Sequence, residues 1–261
     1  MKIDSSIVQS YLDGKSGDDY SEHWIFYHLT DGKKLFDEPA PHRKSEIEDC
    51  LRRVIEVCEN FEFLNHGLVD EIFGDIHPAL QQTNLLLVVG CPPPYDAMVR
   101  SHKGVEYIVF DLVSFVNYSL QGYDFVKIVR GMLTHEVVHT LINARYPQQE
   151  MNYTEKLSYI AFHEGFAHLL AFCDDISTLA PTEEHKKRFD TAKMRFEMAL
   201  LEKDPKAQHD HLFEANTGNY WDKFAAISSK LYLLKNIMSL KCIYEQGWQD
   251  FAKKVVEYNW E

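Results

Sequence analysis

The clearest pattern in the chain lies in residues 123–147, which read YDFVKIVRGMLTHEVVHTLINARYP. Its apolar side chains recur on or near one face of a helix: Phe125, Ile128, Val129, Leu133, Val137 and Ile142. This spacing of about 3.6 residues predicts an α-helix. Pro147 is expected to end the helix, because proline cannot continue the helical hydrogen bonding.

That helix contains the motif His135-Glu136-Val137-Val138-His139. A step of four residues along a helix advances about 6 Å and turns about 400°, so both imidazoles project from one face. Two nitrogens so placed can reach one zinc ion at about 2.0–2.1 Å. Glu136 lies about 100° around the helix from His135, where its carboxylate can take a proton from a water molecule that the metal activates. The motif therefore predicts a zinc site with His135 and His139 as ligands and Glu136 as general base.

A catalytic zinc site needs a third protein ligand, and the next helical stretch, residues 154–172, contains Glu164. Between His139 and Glu164 lie 24 residues, enough for one helix to end, turn and return antiparallel. The neighbours of Glu164 are apolar: Ile160, Phe162, Phe166 and Leu169. An unpaired carboxylate in such surroundings is costly, which favours Glu164 as the third ligand. His163 and His168 on the same helix are alternative ligands.

The rest of the chain predicts more helix than strand. Further helical stretches are 45–59, 68–73, 181–203 (with Pro181 in its first turn) and 221–244. Stretches rich in β-branched or aromatic residues are 85–90, 97–99 and 105–110. We therefore predict an α+β fold, mostly helical, with a small central β-sheet packed beside the HExxH helix.

Two regions are expected along the chain. Residues 1–80 form an N-terminal helical region that contains no recognisable motif. Residues 81–261 form the domain with the metal site, with the sheet and the HExxH helix in 81–147 and a helical part in 148–261. A single compact unit is also compatible with this length.

The bulk composition excludes several classes of protein. With 27 Lys and Arg against 40 Asp and Glu, the net charge is −13, which disfavours nucleic-acid binding. No apolar run approaches the ~18 residues that span a bilayer, and the N-terminus lacks the apolar core of a signal peptide. The five cysteines form no close pairs, as expected for reduced thiols: Cys50, Cys58, Cys91, Cys173 and Cys242. These features predict a soluble cytoplasmic protein that does not bind nucleic acid or membranes.

The HExxH motif, followed on the next helix by Glu164-Gly165-Phe166-Ala167, resembles the gluzincin clan, the thermolysin-like zinc metallopeptidases. The likeness covers residues 85–248 in the order of elements, and its two metal-binding motifs are the specific part. The metzincin branch is excluded, because Ile142 and Arg145 stand where it requires Gly and His. The resemblance implies a zincin-like fold and a peptide or protein substrate. It assigns His135, His139 and Glu164 to zinc and Glu136 to the base, and it implies that strand 105–111 lies along bound peptide.

The resemblance also covers the C-terminal segment that begins Thr217-Gly218-Asn219-Tyr220-Trp221. A tyrosine in this segment of the clan stabilises the oxyanion, which assigns that role to Tyr220, with Gly218 allowing a tight approach of the backbone. His209 and His211 are competing donors. The chain departs from the clan at His168, where better-known members carry an Asp that hydrogen-bonds a zinc histidine. His168 either takes over that role or is itself a ligand.

Two other interpretations start from the same residues. Glu136-x-x-His139 is also the ligand spacing of di-iron helical bundles, but such a bundle requires a second Glu-x-x-His, and the sequence has none. A zinc ion could instead staple two helices of a non-catalytic binding or structural protein. Against this, structural zinc sites are usually closed by cysteine and have no use for an acidic residue beside the metal. The preferred prediction is a zinc-dependent hydrolase, a metallopeptidase.

Overall fold

The computed structural model describes residues 1–30 and 32–260. The strands are β1 (Lys2–Asp4), β2 (Asn84–Val88), β3 (Ala97–His102) and β4 (Val105–Asp111). The helices are α1 (Ser6–Leu12), α2 (Gly17–Tyr20), α3 (Lys44–Glu59), α4 (His66–Phe73), α5 (His77–Gln82), α6 (Leu112–Leu120), α7 (Phe125–Arg145), α8 (Tyr153–Leu170), α9 (Glu183–Leu201), α10 (Pro205–Glu214), α11 (Phe224–Lys235), α12 (Leu240–Gln246) and α13 (Phe251–Glu257). The predicted α+β class, mostly helical with one small sheet, is confirmed.

The chain divides into two compact units. Unit 1 consists of Met1–Phe63 and Asp75–Thr140, and unit 2 of Leu64–Gly74 and Leu141–Glu261. Unit 1 contains the whole sheet, including β1 from the start of the chain, and unit 2 is helical. No helix in the described part of the chain has the length and apolar character needed to cross a membrane.

The sheet of unit 1 has the strand order β1-β2-β4-β3. β1, β2 and β4 run parallel, with Leu86 opposite Val109, and β3 pairs antiparallel with β4. The inner strands β2 and β4 are largely buried, as their runs of apolar residues predict. Because β4 is hydrogen-bonded on both sides, it has no edge for a peptide, and the expectation that strand 105–111 lies along a peptide is wrong. The outer edge of β3, by contrast, is not paired with any described strand.

Asp111 connects the end of β4 to the start of α6. Its carboxylate accepts hydrogen bonds from the backbone N–H of Ser114 at 3.1 Å and of Cys91 at 2.8 Å. Burial raises the pKa of Asp111 to about 7, although these backbone donors act in the opposite direction. Asp111 thus caps α6, a helix that the sequence pattern did not predict, and holds the loop after β2 beside it.

The helices of unit 2 pack around α8 and α11. α8 begins at a capping box, in which Asn152 and Glu155 each satisfy a backbone N–H of the other. Close packing of α8 on α11 requires glycine at 165, because a Cβ atom there would lie 2.7 Å from Cβ of Ser229. The stretch Glu164-Gly165-Phe166-Ala167 therefore lies where α8 packs on α11 in the core of unit 2.

Two boundaries in unit 2 differ from the sequence prediction. The expected helix 221–244 is broken into α11 and α12, because Asn236 leaves the helical conformation after α11 (φ −111°, ψ 30°). Pro181 lies outside α9 rather than in its first turn. Thr182 is the capping residue, and its hydroxyl accepts from the backbone N–H of His185 at 3.2 Å.

Candidate metal centre

Two imidazoles on α7 point at each other. The Nε2 atoms of His135 and His139 lie 3.0 Å apart, and the rings are nearly perpendicular at 83°. With Zn–N bonds of about 2.05 Å, a separation of 3.0 Å subtends roughly 95° at the metal, whereas a tetrahedral angle requires about 3.3 Å. A shift of a few tenths of an ångström therefore makes this pair a tetrahedral half-site, so the two donors fit zinc.

Glu136 lies between the two histidines in sequence and is 5% exposed. In unit 1 it interacts electrostatically with Arg100 of β3: burial lowers the pKa of Arg100, and the Glu136 carboxylate raises it. Arg100 donates from Nε to the carbonyl oxygen of His28 at 3.0 Å and from Nη1 to the carbonyl oxygen of Val99 at 2.8 Å. A cation is thus held near the candidate base by backbone contacts, and nothing in the sequence pattern pointed to it.

Unit 2 places Glu164 and His168 together on one face of α8. Oε2 of Glu164 lies 3.5 Å from Nε2 of His168, as the four-residue spacing predicts. Oε1 of Glu164 accepts a hydrogen bond from Nδ2 of Asn216 at 3.1 Å, which orients the carboxylate. The ring of His163 packs on the ring of Tyr159 instead, with centroids 4.1 Å apart. Of these α8 residues, Glu164 and His168 form the donor pair.

Tyr220 contacts one member of this pair, His168, within unit 2. Its ring meets the ring of His168 edge-on, with centroids 5.3 Å apart, and burial raises the pKa of its hydroxyl. The competing donors lie on α10, where His209 is exposed and His211 faces Glu202 at 3.9 Å. Of these three residues, Tyr220 is the one with a described contact to His168.

Lys230 of α11 is a polar residue of this region that the sequence interpretation did not single out. Its side chain is 1% exposed, and Nζ donates to the hydroxyl oxygen of Tyr220 at 2.7 Å. Nζ also lies 3.0 Å from the centroid of the Phe172 ring, a cation–π contact. The signal was present in the sequence: Lys230 is the only charged residue in the otherwise apolar and small run 224–234.

Replacing Lys230 by methionine is expected to raise the free energy of unfolding, and by more at pH 6 than at pH 9. Burial lowers the pKa of the Lys230 ammonium to about 7, against about 10.4 in an unfolded chain. Between those values the unfolded state binds more protons, so the stability of the parent rises with pH. Methionine is uncharged and similar in length, and it removes this rise of about 2 kcal/mol between pH 7 and 9.

Urea unfolding of the parent and of Lys230→Met at the two pH values measures this difference. Lys241→Met, on the exposed face of α12, is the control and should follow the parent. A Lys230→Met variant with the same pH dependence as the parent would contradict the lowered pKa.

Each unit thus carries its own group of side chains with nitrogen and oxygen donors. Unit 1 has His135, Glu136 and His139 on α7, and unit 2 has Glu164, His168 and Tyr220 on and beside α8. Imidazole nitrogens and carboxylate oxygens are donors that transition-metal ions accept. No protein-family model, no curated protein sequence and no solved structure matches the chain, so its function is inferred from these side chains.

Proposed function

We propose that the chain is a zinc-dependent hydrolase, a metallopeptidase that cleaves peptide bonds with water. The observation that carries this proposal is the pair of Nε2 atoms 3.0 Å apart on one helix, with a nearly buried glutamate between them in sequence. That combination suits a metal with an acidic group beside it, which is the division of labour that metal-assisted hydrolysis requires.

We propose Glu164 as the third ligand, with His168 beside it. The side chains of His135, Glu164 and His168 carry nitrogen and oxygen donors of the kind that a metal ion requires. Within unit 2, the hydroxyl of Tyr159 donates to Oδ1 of Asn143 at 3.0 Å. Asn143 is one turn beyond the HExxH motif on α7, and Tyr159 is little more than one turn before Glu164 on α8. This contact joins the last turns of α7 to α8 within unit 2.

Zinc, when bound, supplies a Lewis acid that makes water more acidic and a carbonyl more electrophilic. The carboxylate of Glu136 accepts the proton of the attacking water and hands it to the leaving amine. The hydroxyl of Tyr220 donates a hydrogen bond to the substrate oxygen as negative charge develops on it. Asn216 keeps one oxygen of Glu164 occupied, so that the other remains directed towards its neighbours.

The substrate class follows from charge and from the sheet. A net charge of −13 favours a peptide or protein over a nucleic acid. An extended peptide can add to the outer edge of β3, where its backbone would gain ladder hydrogen bonds close to Arg100. The reduced cysteines expected from the sequence favour a cytoplasmic location.

Metal content tests the proposal directly. Elemental mass spectrometry should find about one zinc per chain in the parent and a large loss in Glu164→Ala, because removing one of three protein ligands opens the site. Glu197→Ala, the same change at an exposed position of α9, is the control and should keep its zinc.

The other outcomes separate the alternatives. A parent without zinc, even after incubation with the metal, would contradict the proposed function. Full zinc retention in Glu164→Ala would move the third ligand to His168 or His163. About one zinc per chain without turnover in a peptide library would favour the non-catalytic zinc-stapled protein.

A further inference from the structure

We propose that Lys230 is a positioning residue, whose buried ammonium holds the Tyr220 hydroxyl so that its O–H points at the substrate oxygen. This inference rests on the proposed function and adds a residue to it. Both side chains belong to unit 2, where the hydroxyl oxygen of Tyr220 accepts from Nζ of Lys230 at 2.7 Å.

The surroundings of Lys230 make this hydrogen bond its main polar contact. Nζ contacts the Tyr220 oxygen and aromatic rings, with Phe172 at 3.0 Å, Tyr220 at 5.2 Å and Trp221 at 5.7 Å to the ring centroids, and it interacts electrostatically with Cys173. No described carboxylate forms an ion pair with it, although the side chain is 1% exposed. The ammonium therefore has three donors and one hydrogen-bond acceptor in the described part of the chain.

Such an arrangement lowers the stability of the fold if the lysine does no more than fill space. Burying a charge without an ion-pair partner costs stability, and an apolar residue of similar volume commonly replaces buried charges without loss. The aromatic cage would accept methionine with the same shape. The charge at 230 is therefore better explained by what it does to Tyr220 than by the packing of α11.

The effect on Tyr220 follows from the donor and acceptor inventory. Because its pKa is about 7, Lys230 is charged below neutral pH, and in that state it can only donate, so the Tyr220 oxygen is the acceptor and its own O–H must donate elsewhere. The ring of Tyr220 lies beside the ring of His168, with centroids 5.3 Å apart, so an acceptor bound next to His168 is within the neighbourhood of this hydroxyl. Donation from a cation also polarises the phenol and makes its O–H a stronger donor to developing negative charge.

Kinetics of the zinc-loaded full chain tests the proposal, with short fluorogenic peptides that the parent cleaves as the probe. Loss of an oxyanion donor costs about 10²–10³-fold in kcat, which is the expectation for Tyr220→Phe. Lys230→Met should lower kcat by about 10-fold to 100-fold, leave KM within about twofold and leave the zinc content unchanged, since Lys230 acts through Tyr220. Lys241→Met is the control and should match the parent.

A double-mutant cycle and a spectroscopic readout separate positioning from a merely structural role. Adding Lys230→Met to Tyr220→Phe should cost little more than Tyr220→Phe alone, because the two residues act as a unit. In the chain labelled with 3-fluorotyrosine, the ¹⁹F resonance that Tyr220→Phe removes should shift in Lys230→Met and stay in place in Lys241→Met.

Independent, additive losses in the cycle, or an unmoved fluorine resonance, would overturn the inference. A parent that cleaves peptides no faster than its Lys230→Met variant would overturn this inference and leave the proposed function standing. A parent that binds no zinc overturns the proposed function and the catalytic consequence together.

Discussion

Glu136→Gln is expected to lower kcat for peptide hydrolysis by about 10²–10⁴-fold, the usual contribution of a general base. Glutamine has the same shape as glutamate, but its amide cannot accept the proton of the attacking water. Glu136 is not one of the proposed ligands, so the zinc content should remain that of the parent. The measurement is kcat and zinc per chain on the same preparation of each protein.

Two comparisons make this result specific. Glu150→Gln, the same change at an exposed position shortly after α7, should leave both quantities unchanged. Because Glu136 is 5% exposed, its variant should also be checked for folding by its urea transition. A folded Glu136→Gln variant that keeps its zinc and cleaves peptides at the parent rate would show that another group is the base.

Phe162→Ala is expected to lower the free energy of unfolding by about 3–5 kcal/mol, which is a large part of the stability of a typical domain. Phe162 is fully buried in unit 2. Its ring contacts the rings of Tyr and Phe residues from the segment after α7 and from α8, α12 and α13: Tyr146, Phe166, Tyr244 and Phe251. Alanine removes the ring and leaves a cavity that these elements cannot all close at once.

Phe213→Ala provides the matched control for this prediction. It is the same substitution in the same unit, but Phe213 is 58% exposed on α10, so the change should stay within about 0.5 kcal/mol. Urea unfolding with a common m-value measures both variants. Equal effects of the two substitutions would mean that the aromatic cluster around Phe162 is not a cooperative part of the core.

At Lys230, one substitution is expected to change stability and catalytic rate in opposite directions. Lys230→Met is expected to stabilise the chain and to slow catalysis, whereas Phe162→Ala destabilises it through lost packing. Functional sites commonly retain groups that reduce stability, because their charge or strain serves the chemistry. A gain in stability together with a loss in kcat would place Lys230 among such groups.

The sequence by itself determined the elements whose cause is local. The period of apolar residues predicts α7 and α8 almost to their ends, because helical hydrogen bonds join residues four apart. The same locality sets His135 against His139 and Glu164 against His168, since each pair spans one turn of a helix. Both pairs of side chains were therefore readable from spacing alone.

Short elements and helix breaks were not readable in this way. β1 has three residues, too few to show a period, and it forms only because β2 lies alongside it. α6 depends on Asp111, whose carboxylate is held by the backbone of a loop 20 residues earlier. The break at Asn236 likewise interrupts an apolar run that continues on both sides of it.

Only the tertiary structure decided which strand is an edge and which polar groups meet. The order β1-β2-β4-β3 pairs segments as far apart in the chain as Lys2 and Asn84, and it leaves the outer edge on β3 rather than on β4. The packing of distant segments brings Asn216 to Glu164. Tyr220 lies in a short 3₁₀ turn just before α11, and the chain folds back there so that Lys230 of α11 contacts it. Spacing encodes contacts within one turn of a helix, whereas these contacts depend on how whole elements pack, and packing is set by the full set of buried side chains.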